Sequence, residues 1–513
     1  MASQGGVEDR IMRLVRSSPP PDSQPPPKSR EALLELYTPH MEALGLEVGP
    51  GLDARLAPRV VHVAGTKGKG STCAMVESIC RAAGLRTGLF TSPHLVRPHE
   101  RVRLQGQPVS EEILAKHFDE VSGVLKSKNL MPGFFSFITL LGFHIFAAQE
   151  LDVVIIEVGL GGRLDVTNLL GAPTACAVTL LDMDHTEYLG TTIEAIAGEK
   201  AGIFKPGVPI IVSSGQDPGA LGVLHKTAEK VLAGPLRVAD RFPSSSGVKL
   251  GLAGDHQYVN AGIAVALCEA AIPADKLTPE VIRTGLERCR WPGRSQRERL
   301  DADIDVLLDG AHTPKSLACA LAWARSELQL QSTSPESSPQ TISEPGIQNV
   351  SGSLAEPPST GAPEPEGKET REVLLFSCMH SRDPLALFAE FKASGLRFDQ
   401  VYFAPALHPK PTHVRMKTSR EILGEVSVET EDDKTSNSND SWNDVLCEVW
   451  TKTMSETAKS AAAYGSLQAA LDAIKADAHA ASAQAEGKRT TVLVTGSLLL
   501  VGDTMKLWDL PVA

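Results

Sequence analysis

The stretch VAGTKGKGST at residues 63–72 decides the fold class, because it reads as a strand end, a glycine-rich loop and a helix start. That is the grammar of a phosphate cradle. Gly65, Gly68 and Gly70 let the backbone approach oxygens that a Cβ would block, successive N–H groups from Thr66 to Thr72 turn inward, and the following helix adds its positive dipole end. Lys69 supplies a point charge between two phosphates. The strict GxxxxGK[ST] pattern fails twice, since Val63 fills the first glycine slot and Gly70 rather than Ser71 follows the lysine. Context restores the reading: RVVHV at residues 59–63 is a β-branched run, and residues 71–83 are apolar at Met75, Ile79, Ala82 and Ala83 before Gly84 stops the helix. The competing account is a glycine-rich turn that binds nothing.

The chain has 513 residues and 42% hydrophobic content, enough for two large domains with their own cores. Its 50 basic and 62 acidic residues give a net charge of −12 with no basic stripe, which argues against nucleic acid or an anionic membrane as the main partner. No apolar stretch reaches the ~18–20 residues that a membrane span needs. Eight cysteines without a CxxC pair are expected as reduced core residues of a cytosol-like compartment. Arg10, Arg13 and Arg16 hint at an organellar presequence, but the acidic Glu8 and Asp9 adjoin them. A cytoplasmic protein with a mitochondrial form fits both observations.

Near-continuous apolar strands at residues 151–158, 174–181 and 208–213 alternate with helical stretches at 110–126, 136–149 and 192–201. Such alternation means an α/β fold, a doubly wound parallel sheet of P-loop type covered on both faces. A second, smaller, Rossmann-like α/β block carries strands at 304–308, 373–377, 400–403 and 491–495. The chain therefore divides into a lead-in over 1–58, with a proline-rich segment at 18–28 and a helix over 31–45, a first domain over 59–296 and a C-terminal domain over 297–513. Ser/Pro/Glu/Gly-rich residues near 331–371 and acidic, Ser/Asn-rich residues near 429–443 read as disordered inserts.

Several polar residues sit where doubly wound sheets gather ligands, at strand ends and in the loops that follow. Ser92 lies in FTSPH, and Glu157 ends the strand VVIIE before Gly159, Gly161 and Gly162. A carboxylate after four aliphatic residues is costly unless it meets a cation or hydrogen bonds. His185 follows LDMD, and Asp309, His312 and Thr313 share a strand–turn–helix junction in LDGAHT. Asn260 and Arg294 are polar residues near the domain boundary; Lys200, by spacing alone, is an ordinary surface lysine on a helix.

Together these segments resemble the folylpolyglutamate synthase family of the Mur ligase superfamily. The resemblance is carried by GTKGKGST (65–72), TSPHLVRPHERVR (91–103), IEVGLGGRLDVTN (156–168), DHTEYLG (184–190), EKAGIFK (199–205), GDHQ (254–257), WPGR (291–294), LDGAHT (308–313) and VTGSL (494–498). It implies the two-domain Mur ligase architecture, with Gly65, Thr66, Gly68, Lys69, Gly70, Ser71 and Thr72 on the ATP phosphates. It further implies that Asn260, Arg294 and Asp309 contact the nucleotide, that Ser92, Glu157, His185 and Lys200 ligate magnesium at two sites, and that Lys200 is carbamylated. His312 and Ser497 would hold the incoming glutamate, and Lys69, His185, Lys200 and His312 would form the catalytic set. A potassium or other monovalent cation is admitted beside the magnesium.

The implied reaction is ATP-dependent amide formation on a reduced folate. Its terminal γ-carboxylate attacks the γ-phosphoryl group, and the α-amine of L-glutamate displaces phosphate from the resulting acyl phosphate. The alternatives are dihydrofolate synthesis from dihydropteroate and a non-catalytic nucleotide-binding relative. The expected partners are small molecules, the reduced folate polyglutamate, L-glutamate and ATP, with the chain acting as a monomer. Leu499 and the stretch Cys378-Met379-His380 depart from the family pattern and bear on substrate detail.

Overall fold

A computed structural model describes residues 6–17, 27–333, 370–407, 416–424, 441–484 and 489–512. The first sheet contains β1 (Val60–Ala64), β2 (Thr87–Phe90), β3 (Val102–Leu104), β4 (Gln107–Pro108), β5 (Val153–Glu157), β6 (Ala175–Val178), β7 (Ile210–Ser213) and β8 (Leu236–Ala239). Its order is β4-β3-β2-β5-β1-β6-β7-β8. The expected parallel pairing holds from β2 to β8, whereas β3 and β4 add an antiparallel edge. Residues 91–101 return the chain beside β2, and a tight turn at Gln105 and Gly106 joins β3 to β4, so no crossover helix is needed. β1 lies at the centre, and its C-terminal end delivers the glycine loop directly to the point where the chain winds both ways.

The five β5 residues are all buried because helices cover both faces. Val61, Val63, Val153 and Ile155 point to one face, where they meet the helices Lys69–Ala82, Gln257–Ala271 and Pro279–Arg288. Val60, Val154 and Ile156 point to the other, against Glu111–Ser127 and Phe134–Ala147. This second layer also corrects the expectation of a mere lead-in before residue 59. Helices Val7–Ser17, Arg30–Ala43 and Pro50–Leu56 bury Val7, Ile11, Leu33, Met41, Leu52 and Leu56 in the same core. Replacing the fully buried Ile11 by alanine is expected to lower stability by about 2–5 kcal/mol, the cost of lost burial plus a cavity. Urea unfolding measures it; a change within about 0.5 kcal/mol would make the first helix an appendage.

The second sheet comprises β9 (Gln296–Arg299), β10 (Ile304–Leu308), β11 (Arg371–Phe376), β12 (Gln400–Phe403), β13 (Ala461–Ala463) and β14 (Thr490–Thr495), in the order β13-β12-β11-β14-β10-β9. All pairs are parallel except β9 with β10. One face holds an aromatic cluster of Phe376, Phe388, Phe391, Phe403 and Trp450. The expected insert near 429–443 ends earlier than its composition suggested. Ser441 and Asp444 form a capping box on the helix Trp442–Thr453, and Trp442 and Asn443 are buried, with Trp442 Nε1 donating to Cys378 O at 2.7 Å. The helix Pro314–Thr333 likewise runs past residue 331. Residues 18–26 of the proline-rich segment, 334–369 of the first insert and 429–440 of the second lie outside the described residues, and Arg371 already opens β11.

All eight cysteines are free thiols; six are buried, but Cys319 is exposed and Cys447 half-buried, against the expectation of core positions throughout. Among the described residues no helix is long and apolar enough to cross a membrane.

Candidate active site

The glycine loop leaves β1 with Gly65 at φ 144° and Gly68 at φ 87°, a region that favours glycine. A Cβ at Gly65 would overlap the Thr179 hydroxyl, and one at Gly68 would overlap the Asn260 carboxamide. Asn260 therefore sits over the loop rather than at the domain boundary, held by Nδ2 donating to Gln257 Oε1 at 2.9 Å. Gly68 caps the helix Lys69–Ala82 without a side-chain acceptor, so the first N–H groups face outward to an anion. The Thr66 and Lys67 N–H groups instead donate to Leu180 O, tying the loop to the strand next door. Thr72 Oγ1 is buried and has no hydrogen-bond partner among the described residues.

β5 is in register with β1, Glu157 opposite Val63, which places the carboxylate at the foot of the loop. Ser92 N donates to Glu157 Oε2 at 2.9 Å, and Lys69 Nζ stands 3.9 Å from Oε1. Burial raises the Glu157 pKa above the ordinary carboxylate value, opposed by Lys69 and the Ser92 N–H. Gly70, Ser92, Glu157 and Arg294 line a cavity of about 50 Å³, and Leu498, next to Ser497, reaches it from the second sheet's side. An anionic oxygen pair beside a cavity of that size suits a hard cation with its waters.

Lys200 overturns the surface-lysine reading. It is buried, and Nζ donates to Gly65 O at 2.9 Å. Ile196, Ala197, Lys200 and Ala201 form the buried face of the helix Ile193–Ala201, a spacing that already marks position 200 as inward. Burial, and then the neighbouring Lys69 charge, lower its pKa to about 7. Neutral amine is thus abundant near neutral pH. His185 opens the short helix Thr186–Leu189 at φ 52°; its side chain is exposed at the rim, and the protein around it holds the imidazole below its ordinary value.

Lys205 is the second buried lysine of this motif, with Nζ donating to Asn168 Oδ1. Burial, then Arg30, lower it to about 7. The native state sheds this proton near pH 7 while the unfolded chain keeps its own to about 10.4, so stability should rise with pH across that window. Raising the pH from about 7.5 to 8.5 should add about 1.2 kcal/mol that Lys205→Met lacks. Urea midpoints of both proteins at the two pH values test this; equal slopes would mean that Lys205 stays charged in the fold.

The second sheet supplies the opposite wall. His312 Nδ1 lies 2.9 Å from Gly310 O, and its Nε2 is 3.8 Å from Asp184 Oδ2. Arg382 Nη2 donates to Asp184 Oδ1 at 2.9 Å, and Lys67 Nζ reaches Oδ2 at 3.1 Å. Burial alone would raise the Asp184 pKa; His312, Lys67 and Arg382 together drive it far below the usual carboxylate range. Sequence reasoning singled out His185 and missed its neighbour Asp184, although two carboxylates in LDMDH after an apolar strand were a signal. Arg382 was legible only as the residue before an Asp383 helix cap.

Asp309 accepts from Ser295 N at 2.7 Å and Ala311 N at 2.9 Å, so here it holds the turn between the two sheets. Ser497 caps the helix Leu498–Leu507 without a side-chain bond, which leaves its hydroxyl available. Between Asp182–Met183 and the His312, Lys315 and Arg382 side lies a cavity of about 340 Å³. It is large enough for an amino acid.

Residues 63–233 match the Mur ligase middle domain. A folylpolyglutamate synthase of Arabidopsis thaliana is 35% identical, over 99% of this chain and 89% of its own length. The solved Mycobacterium tuberculosis folylpolyglutamate synthase complexed with ADP shares the fold at TM-score 0.70 and 22% identity, over 99% of each chain. Escherichia coli FolC, solved in complex with DHPP and ADP, is 26% identical at TM-score 0.60, over 95% of this chain and 99% of its own. With a glycine loop, buried carboxylate and buried lysine gathered at the C-terminal ends of the central strands, and similarity running through the whole chain, this protein belongs to the folylpolyglutamate synthase family, on the Mur ligase fold.

Proposed function

We propose that this chain adds L-glutamate to the γ-carboxylate of a reduced folyl polyglutamate with ATP, and that the converging residues divide the work as follows. ATP-dependent glutamate ligation to folates is the family's activity. The loop from Gly65 to Thr72 receives the phosphates, with Lys69 placing its charge where the folate carboxylate must approach another anion. Asn260 over the loop, Arg294 and Asp309 take the rest of the nucleotide.

Ser92, Glu157, His185 and Lys200 would hold divalent metal, and the buried oxygens of Glu157 with the orphaned Thr72 hydroxyl fit a hard cation. Bound magnesium would neutralise charge on the phosphates and align the in-line attack. Lys200 fits this set only as a carbamate, because an ammonium repels a cation. A monovalent cation beside the magnesium belongs to the same reading. His312 and Ser497 hold the incoming glutamate so that its amine meets the acyl phosphate, and the cavity beside Lys315 and Arg382 offers cations for its carboxylates. Asp184 keeps the two walls together and water out. In this reading the chain works as a monomer.

The observation that carries the proposal is the meeting of Lys69, Glu157 and Lys200 around one loop, faced by His312 and Arg382 from the other sheet. The test is incubation with ATP, magnesium, L-glutamate and tetrahydrofolate, with dihydropteroate as a parallel substrate. Mass spectrometry should show stepwise addition of glutamate to tetrahydrofolate with matching ADP release. Product from dihydropteroate alone would reassign the substrate, and absence of product from either would overturn the reading.

A further inference from the structure

Three metal-ligand side chains meet well outside the nucleotide loop, between the helices Glu111–Ser127 and Phe134–Ala147. His117 Nδ1 and His144 Nδ1 are 2.9 Å apart, and Glu120 Oε2, nearly one helical turn beyond His117, is 3.7 Å from His117 Nδ1. One donor atom of each lies within 4.8 Å of the other two. His117 is buried, His144 is half-buried, and Glu120 is exposed enough to swing inward. Burial holds both imidazoles below their ordinary pKa, in the neutral form that has a lone pair to offer.

Two neutral imidazoles brought nitrogen to nitrogen either share one proton or share one cation. Tetrahedral zinc with nitrogens at ~2.0–2.1 Å sets them about 3.3 Å apart. From 2.9 Å the rings need to part by only a few tenths of an ångström, and the carboxylate must close on His117 by a similar amount. Two imidazoles and one carboxylate are a donor set for a borderline cation such as zinc, whereas magnesium and calcium prefer oxygen alone.

We propose that His117, Glu120 and His144 bind one zinc-class divalent cation, with water as the fourth ligand, as a staple between these two helices. The second helix starts with Phe134 and Phe135, whose rings lie 5.2 and 6.0 Å from the Arg101 guanidinium. The Phe135 ring also fills the space that a Cβ on Gly159 would need, just after Glu157. The staple thus stiffens a helix that walls the loop beyond β5. It is separate from the magnesium set and takes no part in the chemistry.

The experiment uses the full chain, stripped with a chelator and dialysed in excess magnesium so that the oxygen-rich site is filled. Zinc is then added and unbound metal dialysed away before elemental analysis. The parent should retain one zinc equivalent more than His117→Gln and His144→Gln, and cobalt substitution should give tetrahedral visible bands in the parent alone. Zinc at about 100 times its Kd should favour the folded parent about 100-fold, raising its thermal midpoint, with no such rise in His144→Gln. Matching circular dichroism and magnesium-supported ligation would show that the variants fold. No retained zinc in the parent, or equal retention in all three proteins, would overturn the site.

Discussion

Lys69→Ala should fold normally and ligate more than about 100-fold more slowly, the scale for removing one preorganised charge from a transition state. The side chain adds charge rather than core packing: it is part-exposed, and it stands 3.9 Å from Glu157 Oε1. Its loss leaves a buried carboxylate without its nearest cation, so the Glu157 pKa should rise further and metal should bind less well as pH falls. Stability changes little, because the loop's backbone is fixed by Gly65, Gly68 and the bonds to Leu180 O. Steady-state ADP release, with circular dichroism as the folding control, measures the effect. Near-normal turnover from a folded variant would end the assignment of this loop to the phosphates.

Lys200→Ala should impair acyl-phosphate formation by a similar factor while changing nucleotide affinity only a few-fold. Carbamate formation joins the Lys200 nitrogen to the carbon of carbon dioxide and releases one proton. It requires the free amine, which a pKa of about 7 supplies. In the proposed reading the carbamate nitrogen would keep one N–H, enough to preserve the bond to Gly65 O, and its two oxygens would be offered to the metal. Lys200→Glu should recover part of the activity, since its carboxylate offers similar oxygens on a shorter arm. Carbon-13 NMR of enzyme equilibrated with labelled bicarbonate should show a carbamate signal that Lys200→Ala lacks. Full activity with an unmodified amine at Lys200 would remove it from the metal set.

Much of this frame was open to reading along the chain. VVHVA and VVIIE announce buried parallel strands, and β12 falls on residues 400–403 as expected. The glycine loop was legible because its chemistry is local. What escaped depends on partners distant in sequence. Lys200 is buried by a helix face that spacing records, but the tie to Gly65 O spans 135 positions. Asp184 acquires its meaning from Arg382, 198 residues away. The first helix carries a short apolar face, Val7, Ile11 and Leu14, which reads as incidental until a core is there to receive it. Trp442 was hidden by the acidic, serine-rich composition that precedes its capping box.

The shared carboxylate of Asp184 makes the two halves of the enzyme thermodynamically answerable to each other. Lys67, from the nucleotide loop, and Arg382 and His312, from the opposite wall, draw on the same two oxygens. In the proposed reading, a phosphate that claimed Lys67 would leave Asp184 to the other two, and a glutamate that claimed Arg382 or His312 would leave it to Lys67. Whatever factor the nucleotide imposes on glutamate affinity, glutamate must impose on nucleotide affinity in return. Asp184→Asn, which keeps the shape and removes the charge, is therefore a place where substrate order becomes visible as an energy.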